Sequence, residues 1–333
     1  LAPVGHCADR RVARTADMTD EPSLPSVDGR LTGCVVANHG RHVEVQAPDG
    51  RRIQCRLHGR KLLVVCGDRV EWAWEDGSSG IVHQVLPRRS VLERLTMTGR
   101  PETVVANLDR IVAVAAARPV PDWQVIDRYL AGAEWAGLRA AIAYNKRDLG
   151  LPEDEACQLR DYAALGYEVV EVSTKAEPGI EALQRLLGGS TSVLVGQSGT
   201  GKSSLLNALV PSARAVTQEI SIATKEGRHT TTHAAMHELP SNGRLIDSPG
   251  VRDYAPPLPV PAAVGSGFRD IHRLAADCRF QDCRHLTEPG CAVRAAATEG
   301  TLSARRYGSY RHLYQLAKEF EERFPARRPP RLR

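Results

Sequence analysis

The order of four short polar segments constrains the fold of this 333-residue chain more than any other feature. NKRD at residues 145–148 comes first, STK at 173–175 follows, GQSGTGKS at 196–203 is third, and DSPG at 247–250 is last. Apolar strand-like runs precede the segments and helical patterns separate them, which predicts a doubly wound α/β domain. Such domains bind ligands at the carboxyl ends of their strands. The sequence therefore predicts that four loops meet at one edge of a sheet.

The third segment matches the pattern G-x-x-x-x-G-K-[S/T] and lies between an apolar strand and the helical run SLLNALV, which is the context of a phosphate-binding loop. Its backbone N–H groups and the following helix N-terminus form a concave anion site. We predict that Lys202 reaches the β- and γ-phosphates and that the Ser203 hydroxyl binds Mg²⁺. The predicted phosphate contacts are Gly196, Gln197, Ser198, Gly199, Thr200, Gly201, Lys202, Ser203 and Ser204.

NKRD predicts which base is bound. The Asp148 carboxylate can accept hydrogen bonds from N1–H and the 2-amino group of guanine, whereas adenine offers neither donor. A buried polar group without a partner costs about 1–3 kcal/mol, and more when it is charged, so the site favours guanine. We expect Asn145 to bridge to the phosphate loop and Lys146 to lie along the base. Ser173 and Thr174 would hold the guanine O6 through their backbone, with Lys175 beside them.

The order of these motifs is rotated. An ordinary GTPase begins with its phosphate loop and ends with its base-reading loop, but here the base-reading loop comes first. A complete motif set in rotated order predicts a circularly permuted GTPase that binds GTP and GDP. It also predicts that an additional element follows DSPG, where the cyclic order has been cut.

DSPG and the segment GRHTTTH at residues 227–233 complete the predicted magnesium and γ-phosphate site. We expect Asp247 to lie close to Mg²⁺ without binding it directly, and the Gly250 N–H to sense the γ-phosphate. A threonine of the upstream segment closes over Mg²⁺ in the triphosphate state; Thr231 and Thr232 are both candidates, and Thr232 is favoured. A simple Asp–Pro–Gly turn is the alternative explanation of DSPG.

The residue that positions the attacking water is not the usual one. Many GTPases place Gln directly after the Asp-x-x-Gly motif, but Val251 occupies that position here. His229 is the best local substitute, because imidazole can accept a proton near neutral pH. We therefore predict that His229 and Lys202 are the catalytic residues, with slow hydrolysis alone and strong stimulation by a partner. A hydrogen bond within its own loop is the alternative role for His229.

Three of the eight cysteines are clustered with a histidine near the end of the chain. The cluster Cys278, Cys283, His285 and Cys291 suits tetrahedral Zn²⁺, and four protein ligands leave no open position for catalysis. Binding of the metal would supply much of the folding energy in a region with few apolar residues. Unliganded reduced cysteines are the alternative, and His272 is a spare candidate ligand.

Short strands with turn signals between residues 28 and 95 predict a small barrel, for which an OB-fold is the best match. OB-folds commonly bind nucleic acid, although a packing module without a ligand is the alternative. Basic residues are expected on one side of this barrel. They are Arg41, Arg51, Arg52, Arg56, Arg60 and Lys61.

The two ends of the chain differ from its middle. Residues 1–27 are polar, without apolar periodicity, and are expected to be disordered. Residues 301–333 contain nine Lys and Arg against three Glu, in a chain of formal net charge +5. This basic end predicts a polyanionic partner such as RNA, with a solvated tail as the alternative. No apolar run is long enough to cross a membrane, so we expect a cytoplasmic location. No coiled-coil heptads appear, so we expect a monomer.

Together these motifs resemble those of the bacterial ribosome small-subunit-dependent GTPase A (RsgA) family, as does CRFQDCRHLTEPGCAV around the cysteines. The resemblance implies an OB-fold at 28–95, a permuted GTPase domain at 96–261 and a zinc-binding, α-helical domain at 262–333. It implies binding to the 30S ribosomal subunit and its rRNA, and subunit-stimulated GTP hydrolysis during late maturation. By the same resemblance, His229 is the catalytic histidine. A GTP-dependent binding switch, with hydrolysis only as a timer, is the alternative.

Overall fold

The computed structural model describes residues 30–59, 61–96, 98–210, 234–248, 251 and 254–324. Several predictions therefore concern residues outside this description. They are the disorder of residues 1–27, the roles of His229, Thr232 and Gly250, the position of Arg60 and the conformation of the last nine residues.

The described chain begins with a closed five-stranded barrel. Its strands are β1 (Leu31–Asn38), β2 (His42–Gln46), β3 (Arg52–Leu57), β4 (Arg69–Trp74) and β5 (Gly80–Val85). The strands pair in the order β1-β2-β3-β5-β4, and β4 returns to β1. Strands β2 and β3 form an antiparallel hairpin. Alternating apolar side chains, including Val43, Val45 and Trp72, fill the interior of the barrel.

A two-stranded hairpin follows the barrel, formed by β6 (Val91–Leu95) and β7 (Pro101–Ala106). The sequence patterns did not identify it, because VLERL and PETVVA do not alternate apolar and polar residues and most of their residues are exposed or half-exposed. Arg88, just before the hairpin, donates two hydrogen bonds to the fully buried Asp68 of the barrel, over 2.7 and 2.9 Å. This ion pair fixes the chain as it leaves the barrel.

A doubly wound α/β core comes next, as predicted. Its elements are β8 (Arg110–Ala116), α1 (Trp123–Trp135), β9 (Arg139–Asn145), α2 (Glu153–Ala164), β10 (Glu168–Glu171), α3 (Glu181–Leu187), β11 (Thr191–Val195), α4 (Lys202–Leu209), β12 (Ala234–Glu238) and β13 (Arg244–Asp247). Five strands are parallel, in the order β10-β9-β8-β11-β13. All seven residues of β8, the central strand, are buried, as a continuous apolar run predicts.

Strand β12 connects the core to the barrel. It pairs antiparallel with β13 on one side and with β1 on the other, where Ala37 faces Ala235. The barrel and the core therefore belong to one eleven-stranded sheet. This pairing joins residues almost 200 positions apart, and the sequence patterns gave no sign of it.

The remaining described residues, 254–324, form helices and connecting loops. After a 3-10 turn at Pro261–Gly267 come α5 (Arg269–Ala275), α6 (Ala292–Glu299) and α7 (Ala304–Arg323). Residues 262–324 are all described and contain no strand, as predicted. Their core, which includes Phe268 and Tyr310, also takes in Ala131 of α1. Within the described ranges, none of the helices has the length and apolarity that a bilayer crossing requires.

Helix α1 has a well-defined start. Asp122 is its N-cap, and the carboxylate accepts hydrogen bonds from the backbone N–H groups of Gln124 and Val125, over 2.9 and 3.3 Å. An aspartate at this position satisfies donors that have no partner within the helix. The helix then buries one face against β8 and β9. Its C-terminal half also packs against the helices of residues 261–324, here called the helical module.

Candidate functional site

The phosphate loop at residues 196–203 directly follows β11 and runs into α4. Gly201 has a left-handed backbone with φ of +94°, and a Cβ at this position would lie 2.4 Å from Nδ2 of Asn145. Only glycine satisfies both the conformation and the close approach. The loop is therefore shaped by its contact with the base-reading strand as well as by its own turns.

Side chains within the loop bond to its own carbonyl groups. Lys202 Nζ donates to the carbonyl oxygens of Gly196 and Gln197 over 2.6 and 2.8 Å, and the Thr200 hydroxyl donates to the latter over 3.0 Å. A cavity of about 20 Å³ lies beside the loop. Lys202, Ser203 and Asp247 line it, so the predicted phosphate and magnesium groups share one space.

The base-reading segment is tied to the phosphate loop at two points. Asn145, the last residue of β9, donates from Nδ2 to the carbonyl oxygen of Thr200 over 2.9 Å, while its buried Oδ1 has no described protein partner. Lys146 donates from Nζ to the carbonyl oxygens of Gly199 and Arg118, both over 2.6 Å. The bridging role predicted for Asn145 thus matches the geometry.

Asp148 and Ser173 lie together at the other end of the site. The Ser173 hydroxyl donates to Oδ1 of Asp148 over 2.6 Å. Its oxygen also accepts hydrogen bonds from the backbone N–H groups of Lys175 and Ala176, over 3.1 and 3.3 Å. Ser173 is buried, whereas Thr174, Lys175 and Asp148 are exposed. The buried Ser173 thereby orients one carboxylate oxygen of Asp148, while Asp148 itself stays exposed to a ligand.

The edge of the sheet brings these segments together. NKRD starts at the carboxyl end of β9, Ser173 follows β10, the phosphate loop follows β11, and Asp247 ends β13. These strands are parallel and neighbour one another through β8, so their ends lie in one row. The described residues of the four segments therefore lie together at one edge of the sheet.

The residue after DSPG is not available to a water molecule. Val251 is buried, with an exposed fraction of 2%, and packs in the main hydrophobic core together with Tyr254. It faces the interior and carries no polar atom in its side chain. A water-positioning group must therefore come from another part of the chain. His229, which is predicted to position the water, lies outside the described residues, as do Thr232, predicted to bind Mg²⁺, and Gly250, predicted to sense the γ-phosphate.

The cysteine cluster forms as predicted. One ligand atom from each of Cys278, Cys283, His285 and Cys291 lies within 4.8 Å of the others. His285 Nδ1 is 3.5 Å from the sulfur atoms of both Cys278 and Cys291. Burial lowers the pKa of His285, which keeps its imidazole neutral and able to bind a metal. Three thiols and one neutral imidazole in a closed group are a suitable donor set for zinc. The spare candidate His272 is not part of the group.

Tyrosines of α7 hold the backbone of this cluster. The hydroxyls of Tyr307 and Tyr310 donate to the carbonyl oxygens of His285 and Arg284, each over 2.6 Å. Glu288 accepts backbone hydrogen bonds within the same loop. Its burial raises its pKa, but these bonds outweigh that effect, so the pKa of Glu288 is lowered. The ligand loop is thus fixed from helix α7 and from within.

Sequence reasoning missed a buried ionic cluster between the core and the helical module. Arg305 and Arg306 of α7 both donate to Asp127 of α1, and Arg306 also binds Asp270 of α5. Arg305 and Arg306 are among the basic residues of 301–333 from which the sequence predicts an RNA partner. Their true partners lie far away along the chain, and no local pattern signals them.

Comparisons with known proteins agree with this geometry. A family model described as RsgA GTPase matches residues 85–255. A small ribosomal subunit biogenesis GTPase RsgA from Azotobacter vinelandii is 42% identical over 321 residues, which cover 94% of each chain. The protein of the same description from Nitrosomonas europaea is also 42% identical, over 87% of this chain and 92% of its own.

Two solved structures share the fold. A crystal structure of YjeQ from Thermotoga maritima superposes with a TM-score of 0.70 and 31% identity, covering 87% of this chain and 99% of the other. A structure of YloQ, described as a circularly permuted GTPase, gives a TM-score of 0.68 and 26% identity, over 92% and 100% of the two chains. The rotated motif order therefore corresponds to a circularly permuted GTPase fold.

Proposed function

The chain belongs to the RsgA GTPase family, and from this premise we propose that it binds the 30S ribosomal subunit and hydrolyses GTP during late subunit maturation, stimulated by that subunit. The observation that carries the proposal is the meeting of four nucleotide motifs at the ends of β9, β10, β11 and β13. A chain that used these loops only as structural turns would have no reason to bring all four together.

GTP and GDP are the proposed nucleotides. Asp148, oriented by Ser173, would accept hydrogen bonds from guanine, and Lys146 would lie along the base. The buried Oδ1 of Asn145 supports this assignment, since a buried acceptor without a protein partner is available to a ligand. The phosphate-loop residues named above would hold the phosphates through their backbone N–H groups.

Magnesium is the proposed metal of the reaction. Ser203 and Asp247 line the same small cavity. The Ser203 hydroxyl would bind Mg²⁺ directly, since hard oxygen ligands suit this ion, and the Asp247 carboxylate would lie close to it without binding it directly. When bound, Mg²⁺ would neutralise charge on the β- and γ-phosphates. Lys202 would add a positive charge at the same phosphates. Thr232 is proposed as a further ligand, and Gly250 as the γ-phosphate sensor.

His229 is the proposed residue that positions the attacking water. The burial of Val251 supports this role, because it removes the position that usually supplies a glutamine. His229→Ala should lose most of the subunit-stimulated turnover while still binding GTP. Unchanged stimulated turnover would remove His229 from the mechanism.

Zinc is proposed for the cysteine cluster, in a structural role. Four donors within 4.8 Å of one another would close the coordination sphere, so no position would remain for a substrate. We propose that the metal stabilises residues 262–333 as a zinc-binding helical domain.

The barrel is proposed to be an OB-fold that contacts rRNA. Its strand order, β1-β2-β3-β5-β4 with closure onto β1, supports the fold assignment. Two of its basic residues are already paired: Arg51 with Asp49 and Arg56 with Glu75. We propose domain limits of 28–95, 96–261 and 262–333, and a cytoplasmic monomer as the working form.

A GTPase assay with purified 30S subunits tests the proposal. Wild-type protein should hydrolyse GTP slowly alone and much faster when subunits are added, with no effect from 50S subunits. Lys202→Ala is the control that removes phosphate contacts, and it should abolish both activities. Identical rates with and without 30S subunits would contradict the proposed stimulation. GTP-dependent binding to the subunit without stimulated hydrolysis would favour a binding switch.

A further inference from the structure

Four charged residues, three of them buried, form a cluster between helix α1 and the helical module. Arg306 donates to the carboxylate of Asp270 over 2.5 and 2.9 Å, and to Oδ1 of Asp127 over 2.6 Å. Arg305 donates to Oδ2 of Asp127 over 2.6 Å. Asp127, Arg306 and Asp270 have exposed fractions of 1%, 2% and 6%. Each carboxylate oxygen of Asp127 is therefore paired with α7 in the protein interior.

Neighbouring side chains complete the cluster. The Tyr162 hydroxyl donates to Asp127 over 2.6 Å, and Arg305 also reaches Tyr162 and Gln158 of α2, over 3.1 and 2.6 Å. Apolar residues could give similar stability, because burying charges costs desolvation energy. Ionic hydrogen bonds differ in requiring one defined orientation of the two helices. The cluster thus fixes how α7 sits on α1.

The N-terminal end of α1, just over one turn before Asp127, touches the phosphate loop. The backbone N–H of Asp122, its N-cap, donates to Oε1 of Gln197 over 3.1 Å. Asp122 lies five residues before Asp127, which is about 8 Å along a helix. Any shift of α1 imposed at Asp127 would consequently displace the N–H that holds Gln197.

Helix α1 also touches the chain that follows Asp247. Tyr254 stacks on Tyr129, with ring centroids 6.2 Å apart and an angle of 17° between the planes. Pro256 packs so closely on Gly132 that a Cβ there would lie 2.5 Å from it. One helix therefore contacts the phosphate loop, the segment after DSPG and the C-terminal helix.

We propose that Asp127 is a positioning residue for GTP hydrolysis, and that α1 transmits the orientation of α7 to the phosphate loop. The inference rests on the proposed function, since the signal that α1 transmits is the docking of the helical module on the ribosomal subunit. Docking moves α7, the ionic cluster moves α1 with it, and the contact between Asp122 and Gln197 changes the loop that holds the phosphates. Asp127 acts through the helix and touches no nucleotide.

The test compares Arg305→Ala with wild-type protein at saturating 30S subunits. Arg305→Ala retains the pair between Arg306 and Asp270, so it should fold, which a thermal melt and the zinc content would verify. The subunit-stimulated kcat should fall about tenfold, within the usual range of coupling between sites. Basal kcat, the KM for GTP and binding to the subunit should remain at wild-type values.

Asp127→Asn and a matched control complete the experiment. Asp127→Asn, alone and combined with Arg305→Ala, should show a non-additive loss of stimulation, because both changes break the same contact. Arg311→Ala removes an exposed arginine from the same helix, one with no described hydrogen bond to α1, and should be stimulated like wild type.

The outcomes separate the inference from the function on which it rests. Full stimulation of Arg305→Ala, or an equal fall in its basal and stimulated rates, would overturn the role of Asp127 and leave the proposed function standing. Equal losses in Arg305→Ala and Arg311→Ala would also overturn it, since charge alone would then explain the effect. If wild-type protein were not stimulated, the proposed function would fail and the inference with it.

Discussion

Asn145 Nδ2 and the carbonyl oxygen of Thr200 form a 2.9 Å hydrogen bond in the protein interior, across 55 positions of the sequence. This bond connects the end of β9 with the phosphate loop after β11, although β8 lies between these strands in the sheet. The base-reading and phosphate-binding loops are therefore one preorganised unit. In a permuted chain, where the two loops have exchanged their order, this contact restores the geometry of the site.

Removing this contact should weaken nucleotide binding. Asn145→Ala deletes the donor and leaves the Thr200 carbonyl without its partner, a cost of about 1–3 kcal/mol. We expect GDP affinity to fall about tenfold in a titration with a fluorescent GDP analogue. Asn38→Ala is the control, since it deletes a similar bond to the Val64 carbonyl within the barrel. Equal effects of both variants on GDP affinity would argue against the bridging role.

Gly201 should tolerate no side chain. In Gly201→Ala the new methyl group would lie 2.4 Å from Asn145 Nδ2, on a backbone with φ of +94°. The loop would have to open, and we expect GDP binding to fall by more than about tenfold. Gly40→Ala has a comparable φ of +84° with open space around the new methyl group. The control should lower the melting temperature slightly but leave GDP binding intact; retained binding in Gly201→Ala would refute the steric argument.

Asp148 should determine the base. In Asp148→Asn the carboxylate becomes an amide, which can donate to the 2-oxo group of xanthine but no longer matches guanine. We expect GTP affinity to fall by at least about a hundredfold while XTP binding appears. Competition between GTP and XTP for the site measures this exchange. Asp154→Asn, an exposed aspartate at the start of α2, should keep the wild-type preference. An unchanged preference in Asp148→Asn would place the guanine elsewhere.

The cysteine cluster should hold one zinc ion. Cys278→Ser removes one of the four donors, and the zinc content measured by mass spectrometry should fall well below one per chain. The helical module should then unfold at lower temperature, while GTP binding in the separate nucleotide site persists. Cys157→Ser replaces an exposed cysteine of α2 and should keep its zinc. Full zinc occupancy in Cys278→Ser would show that the cluster is not the ligand set.

The buried ionic cluster should contribute to stability as well as to orientation. Asp270→Ala leaves one face of the buried Arg306 guanidinium without its partner, which should cost about 3 kcal/mol of unfolding free energy. Burial alone lowers the pKa of Arg306, but Asp270 and Asp127 outweigh it and raise the pKa, so the arginine cannot lose its charge instead. Chemical denaturation measures the loss. Asp277→Ala, at an exposed position, should be nearly neutral; an equal cost would contradict the pairing.

Local patterns were sufficient to predict most elements of the core. The apolar run that follows Arg110 in β8 predicts a buried strand, and the helical spacing after Asp122 predicts α1, because burial and capping act over a few residues. The hairpin of β6 and β7 was missed, because these half-exposed strands do not alternate apolar and polar residues. The pairing of β12 with β1 was missed because nothing local encodes which edge strands meet.

The sequence by itself was enough to predict the chemistry of this protein: a phosphate loop, a guanine-reading loop and a Cys₃His cluster, each defined by residue types at fixed short spacings. Tertiary structure alone decided how these parts are connected. The burial of Val251, the hydrogen bond from the Asp122 N–H to Gln197 and the pairing of Arg305 and Arg306 with Asp127 all depend on contacts between distant segments. Short-range spacing specifies a ligand set, but a buried ion pair exists only once the fold has brought its partners together.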